Sequence, residues 1–374
     1  MLVSRKVLTD ALRIVNRVVS RNCRIPVLRN VRIDSNGSLT LTATDLDKSV
    51  VMRLPGSQHD AAFTALVNAA TLTNLVKSGK SPEVALSPVE GGVQVDAARM
   101  TTGEDLADFP DPKPSEDEVA LVRVPAKALA EAIRLTVPFA SEDATRYALT
   151  GVYFEALKGK GFSLVASDGR QLGWQRVEGA EVLKTGSVIV PPETARTILY
   201  LAQAAPETVA VVSFNEKGNP PFIRVRVGDN EAYGRCIEGT FPADFRHVIP
   251  LYSKQAGNWS VDRAELETAL AQVVGVLPKN KTRCVRFSFT NDKVEMYAKN
   301  NFDLSEARAE IAVKGKGDDT VLSLDSSFIE SMLKALPKAC GRVTLQTEGN
   351  TTATIWHVEG NKGYTYLLMP LKDA

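Results

Sequence analysis

Six times along the chain a short apolar strand runs directly into an amphipathic helix, and each copy is followed by an alternating, strand-like segment. The starts are LVSRKVLTDALRIV from Leu2, LVNAATLTNLV from Leu66, RVPAKALAEAIRL from Arg123, IVPPETARTILYL from Ile189, SVDRAELETALAQVV from Ser260 and SLDSSFIESMLKAL from Ser323. Aligned on Val3, Val67, Val124, Val190, Val261 and Leu324, they recur roughly every 60 to 70 residues, the self-similarity of a repeat architecture. Six copies of one unit present one kind of surface many times, whereas an enzyme needs a singular site.

The helical period is clearest in the first copy. Leu8, Ala11, Leu12, Val15, Val18 and Val19 form one face, and Lys6, Arg13, Asn16, Arg17 and Ser20 the other. In the sixth, Phe328, Ile329, Met332, Leu333 and Leu336 oppose Ser327, Glu330, Ser331 and Lys334. Pro125, Pro191 and Pro192 stand where a strand passes into a helix, where a missing N–H does least harm. Between helices the period falls to two, and Asn36-Gly37 predicts a tight hairpin turn. Each unit therefore reads as a helix plus an antiparallel meander, giving an α+β fold. The Pro- and acid-rich stretch from Phe109 to Glu118 and the Pro, Gly, Ser and Asn cluster from Pro250 to Asn258 read as breaks. They predict three similar domains of two units each, at 1–119, 120–253 and 257–374.

The composition is that of an ordinary globular protein, 44% hydrophobic and 24% charged over 374 residues. No apolar run is long enough for a membrane span. Asp10, Arg13 and Arg17 interrupt the N-terminal apolar residues, so a secretory signal is not expected there. Cys23, Cys236, Cys284 and Cys340 are scattered singly, which predicts neither a disulfide framework nor a zinc site and fits a reducing cytoplasm. His59, His247 and His357 have no metal-like spacing. The P-loop, G-x-S-x-G and H-E-x-x-H signatures are missing, and Asp45 with Asp47 has no third ligand nearby in sequence.

A net charge of +1 gives no bulk argument for nucleic acid, so any such argument must come from distribution. The helix windows 3–24, 67–80, 124–146, 190–206, 261–283 and 324–342 hold 19 Lys/Arg against 10 Asp/Glu, leaving the rest of the chain acidic. A repeated basic helical layer suits sequence-independent attraction to phosphates. Lys and Arg are also ordinary solvated helix residues, and no aromatic platform for base stacking interleaves them.

Several stretches then resemble the bacterial DNA polymerase III β subunit family, the sliding clamps. They are RYALTGVYFE (146–155), LVASDGRQL (164–172), SVIVP (187–191), GTFPADFRHVIP (239–250) and YLLMPLK (366–372), with ATDL (43–46) and IPVLRNV (25–31) in the first domain. The resemblance implies the DNA clamp fold: a head-to-tail homodimer closed into a ring, helices lining the hole and sheets outside. It implies a non-enzymatic processivity factor in the cytoplasm, without cofactor, metal or membrane. Its partners would be double-stranded DNA, the DNA polymerase III α subunit, the clamp loader, other polymerases and repair factors.

By the same resemblance, Arg13, Arg21, Arg24, Lys77, Arg134, Arg146, Tyr147 and Arg196 would face DNA. A pocket for short partner peptides would comprise Leu149, Ser167, Gly169, Arg170, Leu172, Pro242, His247, Val248, Thr352, Leu367, Met369, Pro370 and Leu371. Apolar walls, an adaptable Met and a few orienting polar groups suit such a role.

The chain departs from the family pattern in places. Arg170-Gln171-Leu172 replaces His-Arg-Leu, Ala243 looks inserted, and His247 stands where many members carry Arg. Met100 and Thr102 replace an apolar pair at the expected ring interface. These differences bear on partner preference and ring stability. The rival readings are a specialised or mobile-element clamp with altered partners, a nucleic-acid-processing enzyme, and a purely structural repeat protein.

Overall fold

The computed structural model describes residues 1–19, 23–55, 62–112, 119–215, 220–253, 256–278 and 282–372. Six α-helices fall among them where the periodicity predicts: α1 (Arg5–Val18), α2 (Ala69–Ser78), α3 (Ala126–Thr136), α4 (Pro192–Ala204), α5 (Arg263–Val274) and α6 (Ser326–Ala335). Their starts use different chemistry for the same end, the satisfaction of unpaired first-turn N–H groups. The Asn68 side chain accepts from the backbone N–H of Thr71, Asp262 from Ala264 and Glu265, and Asp325 from Ser327. Helix α4 instead begins on Pro192, which has no N–H to satisfy.

The repeat is visible in the backbone pairing. Val3 lies opposite Val84, Val124 opposite Ala210 and Val261 opposite Val343, each in an antiparallel strand pair. Two residues on, the N–H of Arg5 donates to the carbonyl of Pro82, that of Ala126 to Thr208 and that of Arg263 to Gly341, all at 2.8–2.9 Å. Three copies of one closure thus join the first helix of a pair to the chain leaving the second.

By density of contacts the chain divides into two compact units, and the middle third contributes to both. The first comprises 1–131, 155–162 and 179–238. It holds a four-stranded sheet in the order Leu2–Ser4, Glu83–Val89, Gly92–Val95, Ala98–Thr101, and a nine-stranded sheet that includes the hairpin of Asn30–Ser35 and Leu39–Thr44. Gly37 in that hairpin has φ +77°, where glycine carries no steric penalty, as the Asn-Gly pair predicts. The second unit comprises 132–154, 163–178 and 239–374. Its strands run Gln171–Val177, Asn361–Leu368, Thr354–Val358, Arg342–Thr347, Gly257–Asp262, Glu306–Lys316, Lys293–Lys299, Cys284–Phe289 and Thr320–Asp325, each beside the next.

All six residues of the expected inner face of α1 are buried, with Ile14 beside them. On α6, Ile329, Met332, Leu333 and Leu336 are buried, whereas Phe328 is only half-buried. Truncating Leu8, Leu12, Ile329, Met332 or Leu333 to Ala would cost about 2–5 kcal/mol. Asp45 accepts backbone hydrogen bonds from Asp47 and Lys48, so its carboxylate closes a turn. Among the described residues no cluster of potential metal ligands is found, and no helix is long and apolar enough to cross a membrane. The expected breaks fall partly on 113–118 and 254–255, outside the described residues.

Candidate functional site

In the second unit, strand Gln171–Val177 lies antiparallel to Asn361–Leu368, which is paired in turn with Thr354–Val358. The register sets Leu172 opposite Leu367, and Leu367 opposite Ile355. Because strand side chains alternate, Arg170, Leu172 and Trp174 share one face with Leu367 and Ile355. The ladder continues past the strand end, where the N–H of Met369 donates to the carbonyl of Arg170 at 2.9 Å and brings Met369 beside that residue. Leu172 and Leu367 are buried, whereas Met369 keeps 43% of its surface exposed. The two leucines form a floor and the methionine a rim.

The short 3-10 helix Ala243–Val248 lies over the same face, with the ring of Phe245 edge-on to Trp174 at 5.8 Å. Arg246 places its guanidinium 4.3 Å from the Phe245 ring centre and 5.7 Å from that of Trp174. Beyond this anchor His247 is exposed and Val248 is 57% exposed. The exposed Met at the edge of the buried leucine pair, and the exposed Val on the 3-10 helix, offer apolar surface that an extended peptide can cover.

The turn before Leu172 is held by its own side chains. The carboxylate of Asp168 accepts from the backbone N–H groups of Arg170 and Gln171 and from the Gln171 amide. The hydroxyl of Ser167 donates to the carbonyl of Gln171 and accepts from the N–H of Gly169. Gly169 has φ +88°, and a β-carbon there would overlap Nη1 of Arg146. That Nη1 donates to the carbonyl of Asp168 at 2.6 Å. Gln171 is buried on the face away from Leu172, and its amide oxygen accepts from the Tyr366 hydroxyl at 2.9 Å. Of the unusual Arg170-Gln171 pair, only Arg170 therefore shares the face of Leu172.

All thirteen residues expected in the pocket fall in this one unit. Ser167, Gly169, Arg170, Leu172, Leu367 and Met369 are joined by the ladder and turn just described. Pro370 and Leu371 continue from Met369, and the N–H of Leu371 donates to the carbonyl of Ser323 at 2.8 Å. Thr352 closes a separate turn, its hydroxyl donating to the carbonyl of Gly349 two residues before strand Thr354–Val358. Pro242 opens the 3-10 helix that carries His247 and Val248. Half-buried Leu149 ends another 3-10 helix, and its carbonyl accepts from the N–H of Ser141 at 2.8 Å. The sequence reading missed Trp174, Phe245 and Arg246. Period-two alternation from Leu172 points to Trp174, but nothing local identifies Phe245 as its partner.

The basic helical surface is less uniform than its charge count suggests. Arg5 is an internal brace: its guanidinium donates to the carbonyls of Val76 and Glu83 and to Asp96. Arg263 braces the end of α6 through the carbonyl of Leu333, Arg342 binds Ser260, and Arg283 pairs with Glu330. The charges of these four are largely committed within the fold. Among the expected DNA-facing residues, Arg13, Arg24 and Lys77 are exposed in the first unit, Arg13 beside Asp10 at 3.2 Å. Arg196 pairs with Glu193. In the second unit Arg134 is half-buried, while Arg146 and Tyr147 are exposed. The carboxyl of Asp143, beside Arg146, is held below its ordinary value by hydrogen bonds from the Thr145 hydroxyl and N–H, with a smaller contribution from Arg146. Arg21 lies outside the described residues.

One correction concerns aromatic rings. Tyr200 of α4 sits under the guanidinium of Arg17 of α1, 3.4 Å from the ring centre, in a groove of ≈ 690 Å³ that Arg13 and Gln203 also line. The basic face thus carries an aromatic residue after all.

Comparisons with known proteins find matches along nearly the whole chain. The family descriptions "DNA polymerase III beta subunit, N-terminal domain", "central domain" and "C-terminal domain" match residues 1–109, 120–243 and 246–372 in turn. The beta sliding clamps of Salmonella typhimurium and Pseudomonas aeruginosa are each 26% identical, with 99% of this chain and 99% of the relative covered. Solved structures share the fold. The DNA polymerase III beta subunit of Thermotoga maritima superposes with a TM-score of 0.84 at 22% identity. The Pseudomonas aeruginosa sliding clamp bound to griselimycin gives 0.86 at 22%; each comparison covers 100% of this chain and 99% of the other. Three successive domain matches, a shared fold and a helix-plus-meander repeat lead to one conclusion: the chain belongs to the DNA polymerase III beta subunit family, the sliding clamps.

Proposed function

We propose that this chain acts as a processivity clamp: two copies close head to tail around duplex DNA and tether partners by short peptides. The family is a processivity factor of DNA polymerase III and is not itself catalytic. The observation that carries the docking half is the Leu172–Leu367 floor with Met369 exposed at its edge. Its occupants would be peptides of the DNA polymerase III α subunit, the clamp loader, other polymerases and repair factors. The cytoplasm as location and the domain limits 1–119, 120–253 and 257–374 belong to the same proposal.

Self-association is supported by two open strand edges. Ala98–Thr101 ends its four-stranded sheet, and residues 306–312 pair on one side only among the described residues. The loop before 306 exposes Phe302 by 70% and Leu304 by 67%, and Leu106, beyond the first edge, by 42%. Soluble proteins cover such edges and apolar loops. Met100 is buried in its own unit, so Leu106, Phe302 and Leu304 are the exposed apolar residues at these edges. Light scattering tests this half: the native chain is expected to be a dimer and Phe302→Asp with Leu304→Asp a monomer. A native monomer at micromolar concentration would refute the ring.

A further inference from the structure

The sheet of the second unit has an outward face that runs from beside the candidate pocket to the edge strand Glu306–Lys316. Along strand Cys284–Phe289, Val285, Phe287 and Phe289 point inward and are buried, so Arg286 and its alternates point outward. The register aligns Ser323, Arg286, Tyr297 and Arg308 in one row across four strands. Arg308 lies 4.9 Å from the Tyr297 ring centre. Lys299, next to this row, pairs with Glu306 at 3.1 Å. Arg286 is exposed and makes no ion pair with another described residue.

Arg286, Tyr297, Lys299, Ser323 and Asn350 line a groove of ≈ 680 Å³. It adjoins the pocket at two points. The Ser323 carbonyl holds the N–H of Leu371, and Asn350 belongs to the turn closed by Thr352.

We propose that this groove is a second subsite that receives an acidic segment flanking the apolar residues of a docked partner peptide. The inference rests on the pocket reading and adds a partner chemistry to it. Apolar anchors would fill the leucine floor while flanking carboxylates meet the uncompensated Arg286. Such contacts favour encounter and selectivity more than raw affinity, and they weaken with salt.

The test uses two labelled synthetic peptides with a common Leu-Phe core, flanked on both sides by three aspartates or three serines. Each is titrated onto the full-length protein by fluorescence anisotropy. The aspartate peptide is expected to bind about fivefold tighter at low salt, in keeping with one or two exposed ion pairs. That advantage should vanish at high salt and in Arg286→Ser, with serine-peptide affinity unchanged. Equal affinity of both peptides for the native protein, or an advantage that survives Arg286→Ser, overturns the groove alone. Failure of the serine peptide to bind overturns the pocket reading, and the groove falls with it. A labelled oligonucleotide that loses binding in Arg286→Ser, while aspartates confer nothing, assigns the row to nucleic acid instead.

Discussion

Leu172 stands directly opposite Leu367 across an antiparallel strand pair, both buried, while Met369 two residues further on remains 43% exposed. Floor and rim therefore answer to different measurements. Met369→Ala should leave the urea midpoint nearly unchanged, as surface substitutions shift stability by about 0.5 kcal/mol or less. It should nonetheless weaken a polymerase-tail peptide in a titration. Leu172→Ala should weaken the peptide too, but at a cost of about 2–5 kcal/mol in stability. Unchanged peptide affinity in both variants would show the pocket to be misassigned.

Gly169 is the hinge of the turn below that floor. Gly169→Ala forces a side chain into left-handed backbone and against the Arg146 guanidinium. A loss of about 1–2 kcal/mol is expected in urea unfolding, with weaker peptide binding because Arg170 is displaced. Wild-type stability in Gly169→Ala would mean the turn is free to rearrange.

The basic residues divide into braces and surface charges. Arg5→Ala leaves the carbonyls of Val76 and Glu83 without their donor and should destabilise by about 2–4 kcal/mol. Lys77→Ala and Arg24→Ala should leave stability unchanged and instead flatten the dependence of DNA binding on salt. Urea unfolding and salt-titrated DNA retention separate the two groups.

Asp96 carries the pH prediction. The N–H of Ala85 and, next, the guanidinium of Arg5 hold its carboxyl below the ordinary 3.8. A depressed folded value means stability that is present above the unfolded value and lost as pH falls through the folded one. Asp96→Asn should therefore be less stable than the native chain at pH 7, and the gap should close as pH falls below the ordinary aspartate range. Since the carboxyl is substantially exposed, the gap at pH 7 should be no more than about 1 kcal/mol. A gap that persists in acid would assign the effect to shape and not charge.

Much of the fold was legible because the repeat imposes two periods that burial enforces. The helix starts, the Asn36-Gly37 turn and the inner face of α1 follow from spacing alone. The pocket was less legible, since its parts come from segments far apart in sequence. Leu172 and Leu367 meet only because a strand register joins residues nearly two hundred apart. The charge count misjudged Arg5, Arg263, Arg283 and Arg342, because composition cannot distinguish a cation in solvent from one bound to helix-end carbonyls or a buried partner. Tyr200 was overlooked for a similar reason: its cation, Arg17, is carried on a different helix.

The most direct test of the clamp itself is retention on DNA of different topology. The protein, loaded onto nicked circular duplex, should stay bound through gel filtration and be lost once the circle is cut to a linear form. Equal retention on circular and linear DNA would contradict encirclement and reduce the interaction to ordinary electrostatic binding.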